Sequence, residues 1–185
     1  MLFSPKLVYR THFGVCTVEL YHVRYLRHLR ADALVLLSNR LLWMGAGVSK
    51  RVRDEAGDMV EEEARRYAPL PPGEAVSTSG GMLRVRYIVH ANPLNEQLIA
   101  TPDLLEAALD NALKRCEQLG ARQVIFPDFT AQLAGWSASE CAQALVQAIE
   151  RSGGGLQTAL IACWQQEHLQ AYQQVLISQL SAPKR

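Results

Sequence analysis

From Asp32 onward, short apolar runs alternate with helix-patterned stretches, and that order leaves few folds open. Residues 32–38 (DALVLLS) are almost continuously apolar, the pattern of a central strand buried on both faces. Further strands are expected at 15–23 (VCTVELYHV), from Glu74, and at 85–90 (VRYIVH), 123–126 (QVIF) and 156–164 (LQTALIACW). Helices are expected at 48–56 and 58–67, divided by Gly57, then at 103–119, 137–151 and 167–180. The 103–119 helix has Thr101 as cap, Pro102 at its first position and Gly120 as its stop, and its apolar residues recur at helical spacing from Leu104 to Leu113. Ser137 and Glu140 form a capping box for the next helix. Such an order predicts an α/β fold: a three-layer α/β/α sandwich around a central mixed, mostly parallel sheet. Strand material before Arg30 would supply its antiparallel edges, and the tail 181–185 reads as frayed.

With 185 residues the chain fits one domain over 1–185, its core running from about 15 to 180. Pro69, Pro71, Pro72 and Gly73 break the pattern too briefly for a domain boundary and read as a connection. A net charge of +1 gives no bulk attraction to nucleic acid or to an anionic membrane. Arg24, Arg27 and Arg30 read as a solvated strand edge or loop, with a local patch left open. Cys16, Cys116, Cys141 and Cys163 lie far apart without a C-x-x-C pair, which argues against a zinc ribbon or redox dithiol; Cys163 reads as a buried thiol. His90 reads as a satisfied core residue, and His12, His22, His28 and His168 lack metal spacing, so neither metal nor cofactor is expected. The opening MLFSP has no secretion-signal pattern and no apolar stretch is long, so a cytoplasmic protein is expected.

Open parallel sheets bind ligands at the carboxyl ends of their strands. The loops at 39–47, 92–101 and 127–136, and the segment from 164 on, are therefore the candidate site. Gly45, Ala46 and Gly47 are small enough for close approach of a ligand, and they precede a helix whose first amides lack internal partners, an arrangement suited to phosphate. The segment is neither a Walker loop nor G-x-G-x-x-G. A second strand-to-helix loop, FPDFTAQLAGW over 126–136, could straddle a diphosphate with the first.

Residues 32–57, DALVLLSNRLLWMGAGVSKRVRDEAG, resemble the signature of macro domains: an Asp, an apolar strand, an Asn, a glycine-rich loop and a helix ending in Ala-Gly. Gly73-Glu74, Ile88-Val89-His90 followed by Pro93, and Phe126-Pro127 match in order, and the resemblance covers about 15–180. It implies that Asp32, with Ala33 beside it, meets the adenine amino group, and that Asn39 faces the distal ribose. It implies phosphate contacts from the amides of Gly45, Ala46, Gly47 and Val48 and from Thr130, Ala131, Gln132, Leu133, Ala134 and Gly135. Trp164 would stack on adenine, an interaction worth roughly 1–3 kcal/mol.

The chain also departs from the family pattern. Leu36-Leu37-Ser38-Asn39 replaces Asn-Ala-Ala-Asn, Met44 adds bulk in the glycine loop, and Gln132 and Ala134 stand where a Gly and an aromatic are usual, leaving Trp136 as a substitute aromatic. Ser49 stands where the hydrolase branch has an Asp, and serine cannot serve as a carboxylate base. The expected function is binding of ADP-ribose or a related ADP-containing nucleotide, free or protein-linked. Two other readings stay open: a hydrolase of ADP-ribose linkages using Asn39 as its catalytic residue, and a degenerate macro fold with a scaffold role.

Overall fold

A computed structural model describes residues 4–181. Seven strands form one sheet in the order β1-β2-β7-β6-β3-β5-β4. They are β1 (Lys6–Phe13), β2 (Cys16–His22), β3 (Ala33–Leu37), β4 (Ala75–Ser79), β5 (Tyr87–Ala91), β6 (Gln123–Pro127) and β7 (Thr158–Cys163). The five inner strands run parallel, and β1 and β4 are antiparallel edges. Helices α1 (Gly47–Ala56), α2 (Met59–Arg65), α3 (Pro102–Gln118), α4 (Ala138–Arg151) and α5 (Gln166–Ser181) complete the sandwich. The expected α/β architecture is thus the observed one. β1 is the element that the sequence reading did not place as a strand. It forms a hairpin with β2 around Gly14, whose φ of +58° suits glycine. Of the tail expected to fray, Ser181 closes α5 and 182–185 lie outside the described residues.

Strand alternation divides the core. Ala33, Val35 and Leu37 of β3 pack with α3, α4 and α5 on one face, while Leu34 and Leu36 pack with Val48 and Val52 of α1 and Val60 of α2 on the other. Both caps expected from sequence form: the Thr101 hydroxyl accepts from the Leu104 amide, and Ser137 and Glu140 make the reciprocal box. The proline-rich break is bonded into the fold, with the Leu70 amide donating to the Arg40 carbonyl and the Gly73 amide to that of Asn92. His90 is fully buried between the hydroxyls of Ser38 and Thr78, and burial pulls its pKa down to about 4. All four cysteines are buried, and burial raises every thiol pKa, that of Cys16 to about 11. Among the described residues no helix is long and apolar enough to cross a membrane, and no cluster of acidic, His or Cys side chains could hold a metal ion.

Candidate functional site

The carboxyl ends of the parallel strands meet two hollows. The first, of about 230 Å³, lies beyond β3 and β5 and is lined by Ser38, Asn39, Ala46, Gly47, Val48 and Ser49, with Pro93 and Leu94 on one side and Ala131 and Gln132 on the other. Helix α1 begins at this hollow. Its N-cap position is Ala46, no side chain caps it, and its first backbone bond runs from the Lys50 amide to the Ala46 carbonyl at 3.0 Å. The amides of Gly47, Val48 and Ser49 precede that bond, so the start of α1 is a cluster of donors at the positive end of a helix dipole. Gly47 has φ of +56°, and a Cβ there would lie 3.9 Å from the Ala131 carbonyl; at this point the two loops face each other.

Gln132 shapes the floor. β3 and β6 pair only at Ala33↔Val124 and Leu34↔Ile125. Beyond Leu34 the ladder between them stops, and the Gln132 amide fills the gap. Its Oε1 accepts from the Leu37 amide at 3.0 Å, and its Nε2 donates to the Asp128 carbonyl at 3.1 Å. A side chain thus replaces the missing ladder bond. Below it, Asp128 is 1% exposed and anchors the second loop: its carboxylate accepts from the Thr130 amide at 2.9 Å and pairs with His168 Nδ1 of α5 at 2.5 Å. Tyr172 of α5 accepts from the Phe129 amide. Glu61 does a similar task for the first loop, accepting from the Met44 amide and binding Arg53. Burial raises the Glu61 pKa, but these two bonds hold it below the ordinary carboxylate value.

The second hollow, about 450 Å³, lies beyond β2 and β7 and is lined by Ser4, Lys6, His22, Val23, Arg24, Arg51 and Trp164. The Arg51 guanidinium lies 4.7 Å from the centre of the Trp164 ring, and the Trp164 carbonyl bonds His22 Nε2. Trp164 Nε1 is buried and has no partner among the described residues. Helix α1 borders both hollows, through Gly47, Val48 and Ser49 at its start and Arg51 one turn later.

A family model for the macro domain matches residues 37–145, more than half of the chain. The chain belongs to the macro domain family. Among curated proteins it is similar to an uncharacterized protein of Aeropyrum pernix, 38% identical over 120 residues covering 64% of this chain and 63% of that one. A Sulfurisphaera tokodaii protein is 26% identical over 84% of this chain and 89% of its own length. A Mycobacterium tuberculosis protein is 27% identical over 80% of this chain, which spans only 42% of it. Among solved structures, a variant of the Oceanobacillus iheyensis macrodomain with ADPR superposes with a TM-score of 0.82 at 20% identity, covering 94% of this chain and 99% of that one. The Trypanosoma brucei macrodomain in complex with ADP-ribose gives a TM-score of 0.74 at 24% identity, over 85% of this chain and 68% of that one. These likenesses establish the fold.

Within this macro domain the expected site residues divide. Asn39, Ala46, Gly47, Val48, Ala131 and Gln132 come together at the first hollow, and Trp164 lines the second. Asp32 does not join them. It precedes β3, so it lies at the amino end of the strand whose carboxyl end leads to Asn39, and the five residues of β3, about 17 Å of extended chain, separate the two ends. Its carboxylate is already engaged there, accepting from the amides of Arg122 and Gln123 at 2.9 and 3.0 Å and pairing with Arg86. Burial raises its pKa, but those amides and Arg86 hold it below the ordinary value. Ala33, beside it, is buried in the core. The Asp32 carboxylate thus ties three strand starts together, at the end of β3 opposite the first hollow.

Packing sets the surroundings of the other expected residues. The space a side chain would occupy at Gly45 is filled by the Trp43 indole, so this glycine makes room for Trp43. Met44 adds no bulk at the hollow, because its side chain is buried with Val48 and Val52. Leu133 is in the core, and Thr130, Ala134 and Gly135 do not line the hollow. The Asn39 amide is committed to its own loop: Oδ1 accepts from the Leu41 and Trp43 amides, and Nδ2 donates to the Trp43 carbonyl at 2.8 Å. Sequence reasoning missed Lys6, which carries no motif, gave Arg51 no role within the 32–57 segment, and read Arg24 only as part of a charged run. Their place in the cleft depends on strand order.

Proposed function

We propose that this macro domain binds ADP-ribose or a related ADP-containing nucleotide without turning it over. The uncapped start of α1 carries the reading. Its three leading amides border a hollow closed on the far side by Ala131 and Gln132, which suits a diphosphate. The base then lies toward Trp164, three strand positions from β5 in the sheet order, or about 14 Å. The neighbouring folds are those of macrodomains solved with ADPR and ADP-ribose, which supports the ligand class. Against hydrolysis stand the engagement of the Asn39 amide within its loop and the serine at position 49.

Titration calorimetry tests this. ADP-ribose should bind at micromolar Kd, about −8 kcal/mol. Asp32→Ala should leave that affinity unchanged, because Asp32 lies at the opposite end of β3. The absence of heat at millimolar ligand would overturn the proposal, and rapid release of ADP-ribose from a modified protein would replace binding with hydrolysis.

A further inference from the structure

The second hollow has a charge that its expected tenant does not explain. Adenine is neutral and presents ring nitrogen acceptors and an amino donor. The hollow presents Lys6, Arg24 and Arg51, and no carboxylate is among its lining residues. Lysine and arginine side chains are donors only, so none of the three can receive the adenine amine. The diphosphate has its own donors at the start of α1, which leaves the cations of the second hollow without a matching anion on the ligand.

Strand order gives these cations a direction. From the first hollow outward the sheet runs β3, β6, β7, β2, β1. Trp164 follows β7, Arg24 follows β2, and Lys6 opens β1 opposite His22. A ligand with its diphosphate at α1 and its base at Trp164 has that base in the same hollow as Lys6, Arg24 and Arg51. The 2′ and 3′ oxygens of the adenosine ribose lie next to the glycosidic bond, so a phosphate on either sits beside the base, within reach of these long cationic side chains. Arg51, stacked on Trp164 and one turn along α1, links the two regions.

Resting on the reading above, we propose that the second hollow binds a phosphate esterified to the adenosine ribose, making the preferred ligand an ADP-ribose with a third phosphate at its 2′ or 3′ position. Phosphate is matched to this lining because guanidinium and ammonium groups bind it through charge-assisted bonds. A free nucleotide phosphate and a ribose phosphate within a longer chain share this chemistry.

Calorimetry with ADP-ribose, its 2′-phosphate, its 3′-phosphate and a short adenine oligoribonucleotide tests the proposal. One phosphorylated form should bind about tenfold tighter than ADP-ribose at low salt, as expected for one charge-assisted contact. The advantage should shrink as ionic strength rises. In the double variant Lys6→Gln with Arg51→Gln, the ratio of the two affinities should fall to near one, and a thermal melt would confirm that this variant is folded. Should it fail to fold, Lys6→Gln alone should lower the ratio, since Lys6 is an exposed edge-strand side chain. Equal affinities for ADP-ribose and both phosphates would overturn the third-phosphate site while leaving ADP-ribose binding intact. A ratio unchanged in the variants would place the phosphate elsewhere and overturn it too, as would tighter binding of the oligoribonucleotide than of either phosphate. Binding of none of the four would overturn the proposed function as well.

Discussion

Two helix starts at the same edge of this sheet are built in opposite ways. α4 follows β6 and closes on itself: the Ser137 hydroxyl accepts from the Glu140 amide, and the Glu140 carboxylate accepts from the Ser137 amide and hydroxyl. α1 follows β3, and no side chain caps it. A capping box supplies the acceptors that an anion would otherwise supply, and it adds a negative charge where an anion would sit. The second loop can therefore offer a phosphate only backbone ahead of its helix, whereas the first offers the helix start itself. The two loops also differ in what holds them. Asp128 anchors the second from within, tying it to α5, while the first is held from behind, by Glu61 of α2 and by Trp43 folded over Gly45.

The largest effect should come from breaking the anchor of the closed loop. Asp128→Ala removes the acceptor for the Thr130 amide and the partner of His168, leaving both facing a buried space. Loss of one member of such a pair costs roughly 3–5 kcal/mol, readable as a lower urea midpoint. A loss below about 1 kcal/mol, the size of an ordinary surface change, would show that the second loop is not held by this carboxylate.

The open start should respond in binding more than in stability. Gly47→Val puts a β-branched residue at φ of +56° and a side chain between the α1 amides and Ala131. The strain should cost about 1–2 kcal/mol of stability. ADP-ribose affinity should fall about 100-fold, the equivalent of one strong charged hydrogen bond or two weak ones. A variant that loses stability but keeps its affinity would move the diphosphate away from the helix start.

The same contrast explains what was readable in the sequence. Local chemistry was legible: the Ser137–Glu140 box, the Thr101 cap and the buried run of β3 depend on residues close in the chain, and each is found as expected. Directions of side chains were not. Asp32 sits one residue before β3, and its position in the motif does not show that its carboxylate turns to the amides of Arg122 and Gln123, ninety residues on. The Asn39 amide is spent on Leu41 and Trp43 because the loop curls back on it, and the positive φ of Leu42 within that curl has no signature in the sequence. Gln132 was read as standing where a glycine is usual. Its side chain stands in for a strand bond between β3 and β6, and only the early end of that pairing makes this possible. The basic lining of the second hollow was hidden for a similar reason, since Lys6, Arg24 and Arg51 come from three separate elements.

The smallest effect sharpens the comparison most, because it separates a cap from a binding site. Ser137→Ala removes the hydroxyl from the α4 box and should cost about 1 kcal/mol of stability. Affinity for ADP-ribose should not change, since the start of α4 already has its acceptors and lines neither hollow. The pH dependence gives a second readout. Bonds from the Ser137 hydroxyl, and then from its amide, hold the Glu140 carboxyl below its ordinary value of 4.5. A carboxyl lowered in the folded state stabilises fully above that ordinary value and loses its contribution as pH falls through the lowered one. The stability gap between wild type and Ser137→Ala should therefore be constant near neutrality and narrow below pH 4.5. Melts at pH 7 and at pH 3, paired with calorimetry at pH 7, would decide it. A fall in affinity with the cap removed would mean that the second helix start also takes part in holding the ligand, and the contrast between the two loops would fail.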